Sequence, residues 1–174
     1  YGYRIASFHH AVEAYKIADV LAAEGVCASI WADWWGFKLE AYDGIEENIA
    51  MVAAAGGRAI VHSDSAVGIQ RLNQEAAKVM ANARRAGIEI APERAIRWIT
   101  QNAAKSLGVL DRTGTLEAGK MADVVLWNGN PFSVYAHAEQ VYVDGARLYD
   151  RADPSLKPTT DFMLGQPTAQ GGVR

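Results

Sequence analysis

The chain has 174 residues, half of them hydrophobic, and a formal charge of -3 at pH 7, a composition that supports a folded core. Lysine and arginine form no block, which argues against nucleic acid or an anionic membrane as partner, and no run approaches the roughly 18 apolar residues of a membrane-spanning helix. The single cysteine, Cys27, excludes an internal disulfide framework and a thiolate metal site.

Residues 3–9 predict a first strand, which runs into His9 and His10. Ala14, Ile17, Ala18 and Leu21 share one face of a helix over 12–23, closed by Gly25. A second strand covers 27–32 and carries Cys27, which reads as a buried, inert thiol because no acid–base pattern surrounds it. The loop 33–42 is aromatic. Asp43 and Glu46 then stand at capping-box spacing for a helix that ends near Gly56. Residues 57–63 form a short apolar run that breaks into His62, Ser63 and Asp64, as a buried parallel strand does at its C-terminal end. Ile69, Leu72, Ala76, Val79, Met80 and Ala83 mark a helix over 68–86, and Pro92 opens another that reaches about Leu107, before Gly108.

This strand–helix rhythm over 1–110 has βαβ spacing and implies a parallel, right-handed sheet. The character then changes. Residues 111–152 are β-rich, with Asp144-Gly145 between two such runs as a hairpin signal; they read as a small antiparallel module. Residues 153–174, rich in Pro, Thr, Gln and Gly, read as an extended tail.

In α/β proteins chemistry gathers at the C-terminal ends of the strands, and two predicted strands end on His10 and Asp64. Asp64 also suits the N-cap of the next helix. His62 shares the strand parity of Asp64 and lies either beneath the site or in the core, whereas His9 has the opposite parity and reads as a packed histidine. Glu13 stands on the first helical turn, where it either stabilises the helix dipole or supports the site. Trp34, Trp35 and Phe37 could wall a pocket or close the rim as core, with Lys38 placed to meet a substrate carboxylate. His137 reads as a solvated surface residue.

Phe8-His9-His10 with Glu13, His62-Ser63-Asp64, Thr100 to Gly108, Gly114 to Trp127, Asn130-Pro131 and Val143-Asp144-Gly145 occur here in an order that resembles the metal-dependent amidohydrolases, and among them the imidazolonepropionase-like branch. The resemblance reaches to about Arg151. It implies an α/β fold made of the last three βα units of a (β/α)8 TIM barrel, plus part of a small C-terminal β-sandwich composed from both chain ends. A complete barrel needs roughly 250 residues, and the family's His-x-His after the first strand, its lysine or acid after the fourth and its His after the fifth have no counterpart here.

The resemblance further implies a zinc-dependent hydrolase of C–N bonds in amide, cyclic amide or peptide-like substrates, with one or two Zn²⁺ in the complete site. Asp64 matches the carboxylate that touches the metal and carries the water's proton; His10 matches a histidine that binds a second metal or meets the substrate carbonyl, and of these the substrate role is the favoured expectation. As C-terminal half of such an enzyme, the chain by itself is expected to be inactive, and to need a missing N-terminal half or its own oligomer. A subunit of a split amidohydrolase and a non-catalytic α/β binding module are the rival readings. The compartment, cytoplasmic or secreted, is left open.

Overall fold

The computed structural model describes residues 2–158; from residue 159 on, the expected tail lies outside the described residues. The first half alternates β1 (Ser7–Phe8), α1 (Ala18–Glu24), β2 (Cys27–Ile30), α2 (Asn48–Ala54), β3 (Arg58–Val61) and α3 (Leu72–Arg85), followed by the short helices α4 (Pro92–Ala95) and α5 (Gln101–Ser106). The three strands form a parallel sheet in the order β1-β2-β3, with Cys27 opposite both Ser7 and Arg58. All four residues of β2 are buried, as expected of a central parallel strand covered on both faces.

Alanines make this layer tight. Ala28 and Ala59 on the strands and Ala50, Ala76 and Ala83 on the helices are fully buried, so α2 and α3 pack close against the sheet and each other. Ile49, Val52, Val61, Val79 and Trp98 fill the spaces between; each branched aliphatic side chain so buried contributes about 1.5–3 kcal/mol. Gly25 ends α1 in the left-handed conformation, φ 65°, and its N–H closes onto Leu21 and Ala22.

Several elements differ from the sequence expectation. The first strand is only Ser7–Phe8, because β2, its one neighbour among the described residues, begins at Cys27 and leaves earlier residues without a ladder. The capping box at Asp43 and Glu46 does not form: α2 starts at Asn48, Asp43 pairs with Lys16 at 2.6 Å and Glu46 with Arg85 at 3.0 Å. The helix expected over 92–107 breaks at Thr100, whose hydroxyl donates to the Ile96 carbonyl at 2.8 Å and competes with the helical ladder.

The second half holds an antiparallel meander of β4 (Val124–Trp127), β5 (Ala138–Val143) and β6 (Ala146–Asp150). Asp144 (φ 50°) and Gly145 (φ 79°) join β5 to β6 with both central residues left-handed, the two-residue turn whose twist matches the strands. Asp123 secures the turn: one carboxylate oxygen accepts from the Asp144 N–H at 2.9 Å, the other from the Thr113 hydroxyl at 2.6 Å. Among the described residues, no helix is long and apolar enough to cross a membrane.

Candidate metal centre

Each parallel strand delivers a ring or a carboxylate just past its C-terminal end. The Ala11 N–H bonds to the Ser29 carbonyl at 3.1 Å and the His62 N–H to the Ile30 carbonyl at 2.9 Å, which ties the exits of β1 and β3 to β2. His10 (φ 54°) and Asp64 (φ 50°) sit there in the left-handed region, uncommon for residues with a Cβ. The neighbourhood holds them in place. Asn48, 2% exposed, donates to the carbonyls of Ala11 (3.1 Å) and Val12 (2.7 Å) and accepts from the Tyr15 N–H (2.8 Å), so α2 clamps the chain after His10. Around Asp64, the Ser63 hydroxyl accepts from the Ser65 N–H at 3.2 Å, and the Ser65 hydroxyl accepts from the Gly68 N–H at 3.0 Å.

These exits converge. His10 Nε2 lies 3.5 Å from Asp64 Oδ2, and with His62 the three side chains place one ligand atom each within 4.8 Å of one another. His62 is half-buried, and among the described residues its Nε2 is a buried polar atom with no hydrogen-bond partner. Burial, then the neighbouring His10, pull its imidazole below the usual histidine range, against the opposing field of Asp64. Two imidazoles and a carboxylate are a donor set that suits Zn²⁺. With a buried nitrogen left over for it, the residues present fit such an ion.

Trp31 forms the floor of this cluster. The His10 ring stacks on it at 4.8 Å, the His62 ring lies 5.5 Å away, and its indole N–H donates to the Ser63 carbonyl at 3.2 Å. Trp34 stacks with it at 6.0 Å, Phe37 meets it edge-on at 5.6 Å, and the Lys38 ammonium lies 5.9 Å from its centroid. The aromatic loop is therefore brought to the site, except for Trp35, which is 57% exposed and makes no ring contact with the cluster. His10 also borders an open cleft of about 430 Å³, with Phe8, Ile17 and Glu40 in its wall.

Other expected residues fall elsewhere. Glu13 pairs with Lys16 at 2.5 Å instead of joining the cluster. His9 is exposed, not packed, because β1 is an edge strand that ends before it; its ring meets His62 edge-on at 5.9 Å. His137 pairs with Glu139 at 2.9 Å in the β module. Cys27 is buried as expected, and burial raises its thiol pKa. Sequence reasoning missed Trp31 and Asn48. Trp31 follows a strand as His10 and Asp64 do, which was the available signal, and Asn48 is an amide set among Ile49, Ala50 and Val52.

A model of the amidohydrolase family matches residues 9–162. Among curated proteins the chain is similar to amidohydrolase tasK of Hapsidospora irregularis, 31% identical over an alignment of 159 residues, with 88% of this chain and 16% of that protein covered. It is also similar to the imidazolonepropionase of Shewanella oneidensis, 51% identical over 39 residues, 22% of this chain and 10% of that one. An amidohydrolase structure from Thermotoga maritima MSB8 matches with a TM-score of 0.72 and 33% identity over 83% of this chain and 37% of its own. An adenosine deaminase from Xanthomonas campestris, solved with bound zinc, shares the fold at a TM-score of 0.62 and 18% identity, over 83% of this chain and 37% of its own. The chain thus spans well under two thirds of each of these relatives.

Proposed function

The chain belongs to the amidohydrolase family, and on that premise we propose that it is the metal-binding, proton-transferring segment of a zinc-dependent enzyme that hydrolyses C–N bonds of amide, cyclic amide or peptide-like substrates. In this reading β1, β2 and β3 with their helices are the last three βα units of a (β/α)8 barrel, over residues 1–110. The β4–β6 meander is the portion of a small sandwich, over 111–152. The other strands come from a further segment or another chain; the 37% share of the Thermotoga maritima structure that this chain covers supports that division.

One observation carries the reading: His10 and Asp64 leave different strands, both with positive φ, and meet 3.5 Å apart. Backbone strain held in place by neighbours is characteristic of functional sites. Of the two roles that the resemblance leaves to His10, the short separation supports ligation beside Asp64. A divalent ion, when bound, supplies Lewis-acid polarisation of the carbonyl and a more acidic water. Asp64 has a second carboxylate oxygen with which to accept the proton that water loses on adding to the carbonyl carbon. As the C–N bond breaks, Asp64 returns that proton to the leaving nitrogen, so acid and base are one group used twice. Trp34, 43% exposed and backed by the buried Trp31, offers a flat wall for the acyl portion, and Lys38 a cation for a substrate carboxylate.

The test is amine release from dipeptides, N-acyl amino acids and cyclic amides by the complete enzyme, before and after chelation. Activity that vanishes with the metal, returns with Zn²⁺ and is absent in Asp64→Asn supports the reading. Hydrolysis indifferent to both chelation and Asp64→Asn overturns it.

A further inference from the structure

We infer that His62 is a third ligand, so that His10, His62 and Asp64 form a self-contained site for one divalent cation within this chain. The inference rests on the reading of the chain as a metal-dependent hydrolase, and adds to it that metal binding does not wait for the rest of the barrel.

The first argument is the stranded nitrogen. Among the described residues His62 Nε2 is buried without a partner, and buried side-chain nitrogens in folded proteins nearly always have one. The polar groups close by are engaged: the Trp31 N–H donates to the Ser63 carbonyl, and the Ser63 hydroxyl is bonded to the backbone of Ser65. A cation shared with His10 and Asp64, whose ligand atoms lie within 4.8 Å of that of His62, would supply the partner.

The second argument is directional. His62 and Asp64 follow the end of β3, and the left-handed turn at Asp64, φ 50°, brings its carboxylate to the side on which the His62 ring lies. His10 reaches the same place from β1. In a tetrahedral site with bonds of roughly 2.0–2.2 Å, ligand atoms are about 3.3–3.6 Å apart. The His10–Asp64 pair already has 3.5 Å. The rest of the set lies within 4.8 Å, and the Asp64 side chain, 57% exposed, has space in which to adjust toward the two rings. Three protein ligands with one position left for water is also the count of a catalytic zinc site. His9, although its ring is 5.9 Å from that of His62, is outside the set.

The experiment is a zinc titration of the chelator-stripped 174-residue chain, followed by imidazole ¹⁵N chemical shifts, with Co²⁺ absorption as an independent count of ligands. With four histidines in the chain, each resonance is assignable. The expected result is one equivalent of zinc, with the Nε2 resonances of His10 and His62 shifted and those of His9 and His137 unmoved. His62→Gln should then weaken zinc binding at least tenfold, while His9→Gln leaves it unchanged. Zinc binding that shifts His10 but not His62 overturns the third ligand and leaves the hydrolase reading standing. A folded wild-type chain that takes up no zinc also overturns the self-contained site, whereas the hydrolase reading falls only on metal-independent amide hydrolysis by the complete enzyme. The shifts are read on wild-type protein, so a misfolded variant does not blunt the test.

Discussion

Asp64 at the end of the parallel sheet and Asp144 in the antiparallel module have the same backbone conformation, φ 50°, for different reasons. Asp144 is left-handed because a two-residue hairpin between twisted strands requires it, and Gly145 beside it shares the requirement. Asp64 belongs to no hairpin. Its conformation is held by the serines on either side, and it turns a carboxylate toward a histidine from another strand that is itself left-handed. The same local strain thus sets strand register in one half and brings together chemical groups in the other. Only the first cause is contained in neighbouring residues.

The largest effect expected from this contrast is on activity. Asp64→Asn keeps the shape but removes the proposed proton acceptor, and on that proposal should lower kcat of the complete enzyme by about 10²–10⁴-fold, the usual worth of a general acid–base group. Asp144→Asn, at a position with the same φ, should leave kcat unchanged. Equal losses in steady-state assays of the two variants would break the distinction.

Next in size is the clamp behind His10. Asn48→Ala strips partners from the Ala11 and Val12 carbonyls and the Tyr15 N–H, in a place where the side chain is 2% exposed. Groups left unsatisfied on burial cost about 1–3 kcal/mol each and do not add fully, so a loss of about 3 kcal/mol is expected in urea unfolding. Asp123 accepts one bond from the hairpin, at the Asp144 N–H, and one from the Thr113 hydroxyl, both at the surface, and Asp123→Ala should cost clearly less. A larger loss for Asp123→Ala would mean that the module, not the sheet, carries the strained backbone of greater consequence.

The two halves also differ in how pH reaches them. In the module, Asp123 and Glu117 are held below the usual carboxylate range by hydrogen bonds at the surface. In the sheet, burial raises the Cys27 thiol above its ordinary 9.0. A raised folded-state pKa means that the native chain keeps its proton longer than the unfolded one. The stability it contributes is complete below pH 9 and is lost as pH rises toward the folded value, at up to about 1.4 kcal/mol per pH unit. Urea midpoints at about pH 8 and pH 10 should therefore fall more for wild type than for Cys27→Ala. Parallel declines would mean that the thiol is hydrated in solution.

What could be read from the sequence follows the same division. The Asp144-Gly145 turn, the left-handed Gly25 stop, the buried thiol and the parallel order of the strands rest on local residue types and periodicity, and the structure has each of them. The capping box at Asp43 and Glu46 was misleading, because Lys16 and Arg85 from distant segments take those carboxylates. The sequence placed His10 and Asp64 at strand ends but did not reveal their separation, since that depends on the order β1-β2-β3. Spacing alone left Glu13 between a helix-dipole role and support of the site, and a lysine three residues on takes its carboxylate. Trp31 and Asn48 escaped for a related reason: one is the floor and the other the clamp of a site made by contacts 32 to 37 residues apart, beyond the reach of any periodic pattern.

The smallest effect isolates the comparison most cleanly. Glycine adopts positive φ without the Cβ penalty but loses more entropy on folding, and aspartate tolerates the left-handed region better than most residues. Asp64→Gly and Asp144→Gly should therefore change stability little, each within about 0.5–1 kcal/mol. Removing the exposed pairing of Asp64 with His10 adds at most about 1 kcal/mol, because ion pairs in water are weak. Nearly matched unfolding curves, with activity abolished only in Asp64→Gly, would show that Asp64 is kept for its side chain and Asp144 for its backbone. If Asp64→Gly were instead far less stable than Asp144→Gly, the carboxylate would be a structural tie, and the strain around it would need no chemical explanation.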